Sequence, residues 1–273
     1  MATCTQDVKP AGPGSIAEQS IDHGVDVILG GGRARYEQVV TAGPYAGRTV
    51  LQQAESAGYQ VVSDRPGLLD ADDRPLLGLF NPGNLNTRWT GLPATNPPSG
   101  PQRCDEANPA AVGEPDLAEM TTEAIERLSQ RRGRQRSPGF FLQVESASID
   151  KRDHVSQPCE QIGETVNFDA AVAAALAFAR QDRQTLVIVT GDHAHTSQIV
   201  EPDATPAGFS SVLITSEGQP MMVTYGTGNT PTGQQHTGSQ IRVAAEGPQA
   251  ANVTGLIDQT EVATIIQRAL SLS

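Results

Sequence analysis

Lysine is almost absent from this sequence. Only Lys9 and Lys151 stand beside 17 arginines, and the 19 basic residues face 31 aspartates and glutamates. The resulting net charge of -12 opposes stable attraction to a nucleic-acid backbone or an anionic membrane. Long apolar runs are missing too: none approaches the roughly 20 residues that span a bilayer. The opening Met1-Ala-Thr-Cys-Thr-Gln-Asp has neither the basic nor the apolar region of a signal peptide. Taken literally, these absences describe a soluble chain that is not exported. Cysteine is scarce and odd in number, and it points the other way. Cys104 sits in a Pro/Asn-rich loop, Cys159 follows Pro158, and Cys4 stands alone near the start. If Cys104 and Cys159 pair, the compartment is oxidising; the alternative is three reduced, buried thiols in a cytosolic protein.

What is present is an alternation of helical and strand patterns over 273 residues, enough for one large α/β domain or two smaller ones. The pattern predicts helices over Ser15–Ile21 and Val50–Ala57 and strands over Val25–Leu29 and Gln60–Ser63. Pro82 to Pro115 is rich in Pro, Asn and Gly without a sustained period, and reads as a long surface excursion or linker. Asp116 and Glu119 form a capping box for a helix whose apolar face is Leu117, Met120, Ile125 and Leu128. Arg131–Arg136 reads as a solvated connection. Phe140–Val144 reads as a buried strand, Asp169–Arg180 as a helix, and Thr185–Thr190 as a strand inside a parallel sheet. A second capping box, Asp258 with Glu261, opens a last helix carrying Val262, Ile265, Ile266 and Leu270. There is no internal repeat. Strands alternating with helices imply an α/β fold with a mostly parallel sheet covered on both faces.

Ligands in such folds bind beyond the carboxyl ends of the strands. After Phe140–Val144 comes Glu145-Ser-Ala-Ser-Ile-Asp150-Lys151-Arg-Asp153-His154, where Asp150 and His154 are four apart and share a helix face. After Thr190 comes Gly191-Asp192-His193-Ala-His195, and further on Gln235-His236-Thr237-Gly238. Four of the five histidines therefore fall in short polar clusters, three of them in company with carboxylates. Asp, Glu and His are the ligand set of catalytic zinc, and the carboxylates also suit magnesium. An isolated Asp-x-x-x-His is usually a solvated helix face, and His23 reads as an ordinary surface residue. A chain this acidic can still hold an anion where bound cations reverse the local field.

These segments resemble bacterial alkaline phosphatase. The agreement runs in order through Gly14-Ser-Ile-Ala-Glu-Gln, Leu29-Gly-Gly-Gly, Phe140-Phe-Leu-Gln-Val-Glu145, Ala147-Ser-Ile-Asp150-Lys151, Asp153-His154, Asp192-His-Ala-His, His236-Thr-Gly-Ser-Gln and Asp258-Gln-Thr. The resemblance implies one partial domain over residues 1–273, its sheet incomplete because upstream strands are missing. It implies two zinc ions and one magnesium in the full-length enzyme. Asp150, His154 and His236 match ligands of the first zinc, Asp192 and His193 ligands of the second, and Glu145 a ligand of the magnesium. Lys151 matches a lysine that meets phosphate through water, His195 an outer histidine, and Cys104 with Cys159 a family disulfide.

The implied activity is hydrolysis of phosphate monoesters through a phosphoserine, in an exported, periplasmic or secreted homodimer. The family's Asp-Ser-Ala nucleophile, its upstream metal ligands and its phosphate-clamping arginine have no counterpart here, and Ser146 replaces a usual glycine. The expectations are therefore a chain without a catalytic residue of its own, inactive alone and weakly stable. The alternative is a non-catalytic metal- or phosphate-binding protein on the same scaffold.

Overall fold

The computed structural model describes residues 14–134 and 139–272. Cys4, Lys9 and the end of the Arg131–Arg136 segment lie outside the described residues. The chain forms two compact units, one of residues 1–86 with 110–137 and the other of 87–109 with 138–273.

The first unit contains α1 (Ile16–Asp22), β1 (Val27–Gly30), α2 (Arg33–Tyr36), α3 (Val50–Ser56), β2 (Gln60–Val62), α4 (Arg65–Leu69), β3 (Leu76–Leu79) and α5 (Leu117–Arg134). Its sheet is parallel in the order β1-β3-β2. Central β3 is buried throughout, and its two-residue side-chain period divides the core. Leu77 and Leu79 join Ala17, Ile21, Val50 and Ala54 of α1 and α3 on one face, while Leu76 meets Leu68 and Met120 of α4 and α5 on the other. Helices thus cover both faces, as expected. Capping is explicit: Ser15 with Glu18 and Thr49 with Gln52 close capping boxes, and Asp116 with Glu119 opens α5. The Arg131–Arg136 connection is corrected in part, because α5 continues through Arg134; arginine, a good helix former, occupies three of the four positions 131–134 and outweighs Gly133.

The second unit contains β4 (Ser99–Gln102), α6 (Ser148–His154), α7 (Pro158–Asp182), β5 (Val187–Thr190), β6 (Gln198–Val200), β7 (Phe209–Ile214), β8 (Pro220–Tyr225), β9 (Val243–Glu246) and α8 (Glu261–Ala269), with a 3-10 turn at Ala250–Asn252; a second 3-10 turn, Pro109–Ala111, falls where the chain passes back to the first unit. One sheet runs β4-β7-β8-β6. The 82–115 region is not bare loop, since β4 pairs parallel with β7 and Cys104 is bonded to Cys159. That disulfide lies in a core cluster with Ala94, Leu213, Val223 and Tyr225.

Several expectations are revised here. β5 pairs antiparallel with β9 rather than lying in a parallel ladder. Phe140–Val144 is irregular: no described strand offers it a ladder, although Phe140 packs on Phe178 of α7 at 6.2 Å. α7 begins eleven residues before Asp169, because Gly163 approaches Trp89 too closely for a side chain and Cys159 is held by its disulfide; neither signal is an apolar period. α7 is also long and apolar enough to cross a membrane by length and composition alone, contrary to the reading of the sequence. The disulfide and the Trp89 contact tie its first turns into the second unit. At α8 half of the expected box forms: Glu261 accepts from the Asp258 amide, while Asp258 turns to Thr260. Of its apolar face, Ile265 is buried.

Candidate metal centre

Three segments of the second unit meet around one carboxylate oxygen. α6 supplies Asp150 and His154 from one face, as their spacing of four predicts. The turn leaving β5 supplies Asp192, His193 and His195. An isolated bridge between Ala194 and Thr237, with the Thr237 amide on the Ala194 carbonyl at 3.0 Å, draws His236 alongside. Asp150 Oδ1 then lies 3.1 Å from His236 Nε2, 3.3 Å from His195 Nε2, 3.4 Å from His154 Nε2 and 3.7 Å from His193 Nε2. The His193 and His236 rings stack at 3.6 Å, and Asp192 Oδ2 lies 3.5 Å from His193 Nε2.

Whether a cation fits can be read from the donors. Asp150 Oδ1 and His195 Nε2 are buried without a hydrogen-bond partner, a costly state for polar atoms. His154 Nε2 and His236 Nε2 are 3.0 Å apart. With the Asp150 separations of 3.1 and 3.4 Å, these three donors form a triangle. Bonds of about 2.0 Å to a tetrahedral zinc give edges near 3.3 Å, so the triangle has the size of one face of a zinc shell. His236 is half exposed, which leaves the fourth side open, as a reactive zinc site requires.

Hydrogen bonds separate the histidines by role. The Gln234 carbonyl lies 2.6 Å from His154 Nδ1; a carbonyl only accepts, so Nδ1 carries the proton and neutral His154 keeps its lone pair on Nε2. His193 Nδ1 faces the Ala194 carbonyl at 3.2 Å, with the same consequence. His195 is the reverse. Its Nδ1 accepts the Thr196 amide at 2.8 Å, so its Nε2 bears the hydrogen and points at Asp150. Burial first, then the neighbouring imidazoles, hold its pKa down to about 4, and the ring is neutral near pH 7.

The remaining residues are more loosely placed. Glu145 and Lys151 are exposed, on the segment entering α6 and on α6 itself, and neither is among the converging donors. Asp192 is exposed, with its backbone carbonyl held by Gln259 at 2.7 Å. Ser146 bonds the Glu164 carbonyl of α7 at 3.2 Å, which gives the departure from glycine a local anchoring role. His23 is exposed, as expected. Sequence reasoning missed a buried chain behind the site: Tyr225 donates to Gln161 at 2.8 Å and Gln161 to Ser197 at 2.7 Å, and Ser197 bonds Asp153. Burial raises the Asp153 pKa to about 7, Ser197 opposing and Asp150 adding to the shift.

The alkaline phosphatase family model matches residues 1–234 and 226–272. The chain belongs to the alkaline phosphatase family. It is 50% identical over 277 aligned residues to streptomycin-6-phosphate phosphatase of Streptomyces griseus, covering 100% of this chain and 62% of that protein. It is 49% identical to alkaline phosphatase H of Pseudomonas aeruginosa, covering 96% of this chain and 55% of that one. The chain thus spans 55% to 62% of the length of these two relatives. Among solved structures, alkaline phosphatase from the Antarctic bacterium TAB5 shares the fold, with a TM-score of 0.63 over 94% of this chain and 64% of that one at 22% identity.

Proposed function

We propose that this chain is the metal-binding part of an alkaline phosphatase that hydrolyses phosphate monoesters. The supporting observation is the convergence of Asp150, His154 and His236 with tetrahedral-edge spacings, the tautomer of His154 being fixed by the Gln234 carbonyl. These three would hold one zinc, Asp192 and His193 would contribute to a second, and Glu145 to a magnesium. When bound, such cations supply Lewis-acid stabilisation of the charge that develops on phosphoryl oxygens.

The chain's own residues do the positioning. His195 packs its neutral ring against Asp150, with Nε2 3.3 Å from Oδ1; Asp153, through Ser197, Gln161 and Tyr225, fixes the end of α6. Lys151, exposed on α6, offers a cation to phosphate through water. The Asp-Ser-Ala nucleophile motif does not occur in the 273 residues, so a phosphoserine cannot form on that motif within this chain, and turnover by the chain alone is expected at background. The name of the Streptomyces griseus relative supports a phosphate monoester as the class of substrate, with inorganic phosphate as product. The Cys104–Cys159 disulfide supports an oxidising location, periplasmic or secreted, and homodimerisation is carried over from the family as part of the proposal.

The same missing motif favours a second reading, a non-catalytic protein that binds a divalent metal or phosphate. Zinc uptake and p-nitrophenyl phosphate hydrolysis by the purified chain, with zinc and magnesium, test both. Zinc binding lost in Asp150→Ala, with background hydrolysis, is the expected result. Hydrolysis abolished by His154→Ala would overturn the claim of inactivity, and absence of zinc uptake would overturn the metal centre. Tight zinc in a monodisperse chain that stays inactive when an Asp-Ser-Ala segment is supplied in trans would favour binding over catalysis.

A further inference from the structure

Gln234 is fully buried although it sits in a polar loop beside exposed Gln235 and His236. Its side chain fills the loop that leads out of β8. Oε1 accepts from the amides of Thr227 at 2.9 Å and Gly228 at 3.1 Å, and Nε2 donates to the Thr230 carbonyl at 2.8 Å. The loop closes so tightly around this amide that a Cβ on Gly228 would collide with the Gly233 carbonyl. Removing the amide would take the partners of two half-buried N–H groups and a carbonyl at once.

The backbone of the same residue faces the metal centre. Its N–H donates to the His154 carbonyl at 3.2 Å, and its carbonyl accepts the His154 Nδ1 hydrogen at 2.6 Å. Two further bonds register the loop on the centre. Ser156, just past α6, donates to the Pro231 carbonyl at 2.8 Å. Thr227 Oγ1 accepts the Gln235 amide at 2.9 Å and donates to its carbonyl at 2.8 Å, immediately before His236.

We infer that Gln234 is a positioning residue: its buried amide rigidifies the 227–235 loop, so that the Gln234 carbonyl holds His154 in the Nδ1–H tautomer with Nε2 free for metal, and His236 is set opposite. This rests on the metal-centre reading above. Partners of this kind fix ring orientation and tautomer, and their loss typically weakens metal binding by about 10–100-fold.

The test uses the full chain and Gln234→Met, which keeps length and removes every polar bond of the side chain. Nitrogen-15 long-range NMR of the metal-free imidazoles reads the His154 tautomer, and zinc competition against a chelator reads affinity. The expected result is a mixed His154 tautomer and zinc bound about tenfold or more weakly, while Gly163→Ala, which loosens the second unit elsewhere, changes neither. A folded Gln234→Met with a single Nδ1–H tautomer and wild-type zinc affinity overturns the inference. If that variant does not fold, Thr227→Val, which loses the bonds to Gln235, is read the same way against the same outcomes. Wild-type chain that takes no zinc would overturn the metal-centre reading, and the tautomer measurement would still decide the role of Gln234.

Discussion

His195 Nε2 lies 3.3 Å from Asp150 Oδ1 without forming a hydrogen bond to it, and it carries the ring's hydrogen because Nδ1 accepts from the Thr196 amide. A histidine in this tautomer has no lone pair on Nε2 to give a metal, whereas His154 has its lone pair facing the centre. His154→Ala should therefore abolish tight zinc binding, and His195→Ala should weaken it by about 10–100-fold. Equilibrium dialysis with zinc separates the two. A loss at His195 equal to that at His154 would make His195 a ligand.

Asp153 is buried, at 3% exposure, and its Oδ1 has no hydrogen-bond partner. Its pKa in the folded, metal-free chain is raised from 3.8 to about 7, so the folded state binds the proton more tightly than the unfolded state does. The sign follows: stability from this group is full below about pH 4 and is lost as the pH rises through about 7. Asp153→Asn removes the titration. Relative to wild type, the variant should gain roughly 2–4 kcal/mol of stability between pH 4 and pH 8. Urea unfolding at both pH values checks it, and a constant difference would contradict it.

The α/β class, the helices at Ser15–Ile21 and Val50–Ala57, the capping box at Asp116 and the shared face of Asp150 and His154 are legible in the sequence because local patterns of neighbours three or four residues apart carry them. The tertiary signals are not. α7 starts at Pro158 because Gly163 fits against Trp89, more than seventy residues away, and no window contains that fact. Phe140–Val144 has strand composition but meets no partner strand among the described residues, and composition cannot supply one. In the metal centre, the residue types and clusters could be read directly. The tautomers of His154 and His195 depend on Gln234 and Thr196, and a backbone carbonyl carries no signature in sequence. A glutamine beside a histidine in a Gly/Thr-rich loop is at most a faint signal for Gln234.

Cys104 and Cys159 are 55 residues apart, and their bond closes a loop whose loss should cost about 2–5 kcal/mol. Both sulfurs belong to the core cluster around Tyr225, so reduction also loosens the sheet against α7. Differential scanning calorimetry of the chain with and without a reductant should show a clearly lower transition when reduced. Equal transitions would mean that the bond does not form in solution.

Gly163 approaches the only tryptophan so closely that an added Cβ would lie 2.5 Å from Trp89 Cβ and Cγ. Gly163→Ala should destabilise the second unit by about 1–3 kcal/mol through overpacking and shift the Trp89 emission. Fluorescence-detected urea unfolding reads both; unchanged stability and emission would show that α7 does not seat there.

Zinc titration of the full chain beside Asp150→Ala tests the central claim most directly, because Asp150 Oδ1 is the one atom to which all four imidazoles turn. The account predicts a tight zinc site in the wild-type chain and its loss in the variant. Equal zinc affinity in the two would contradict it.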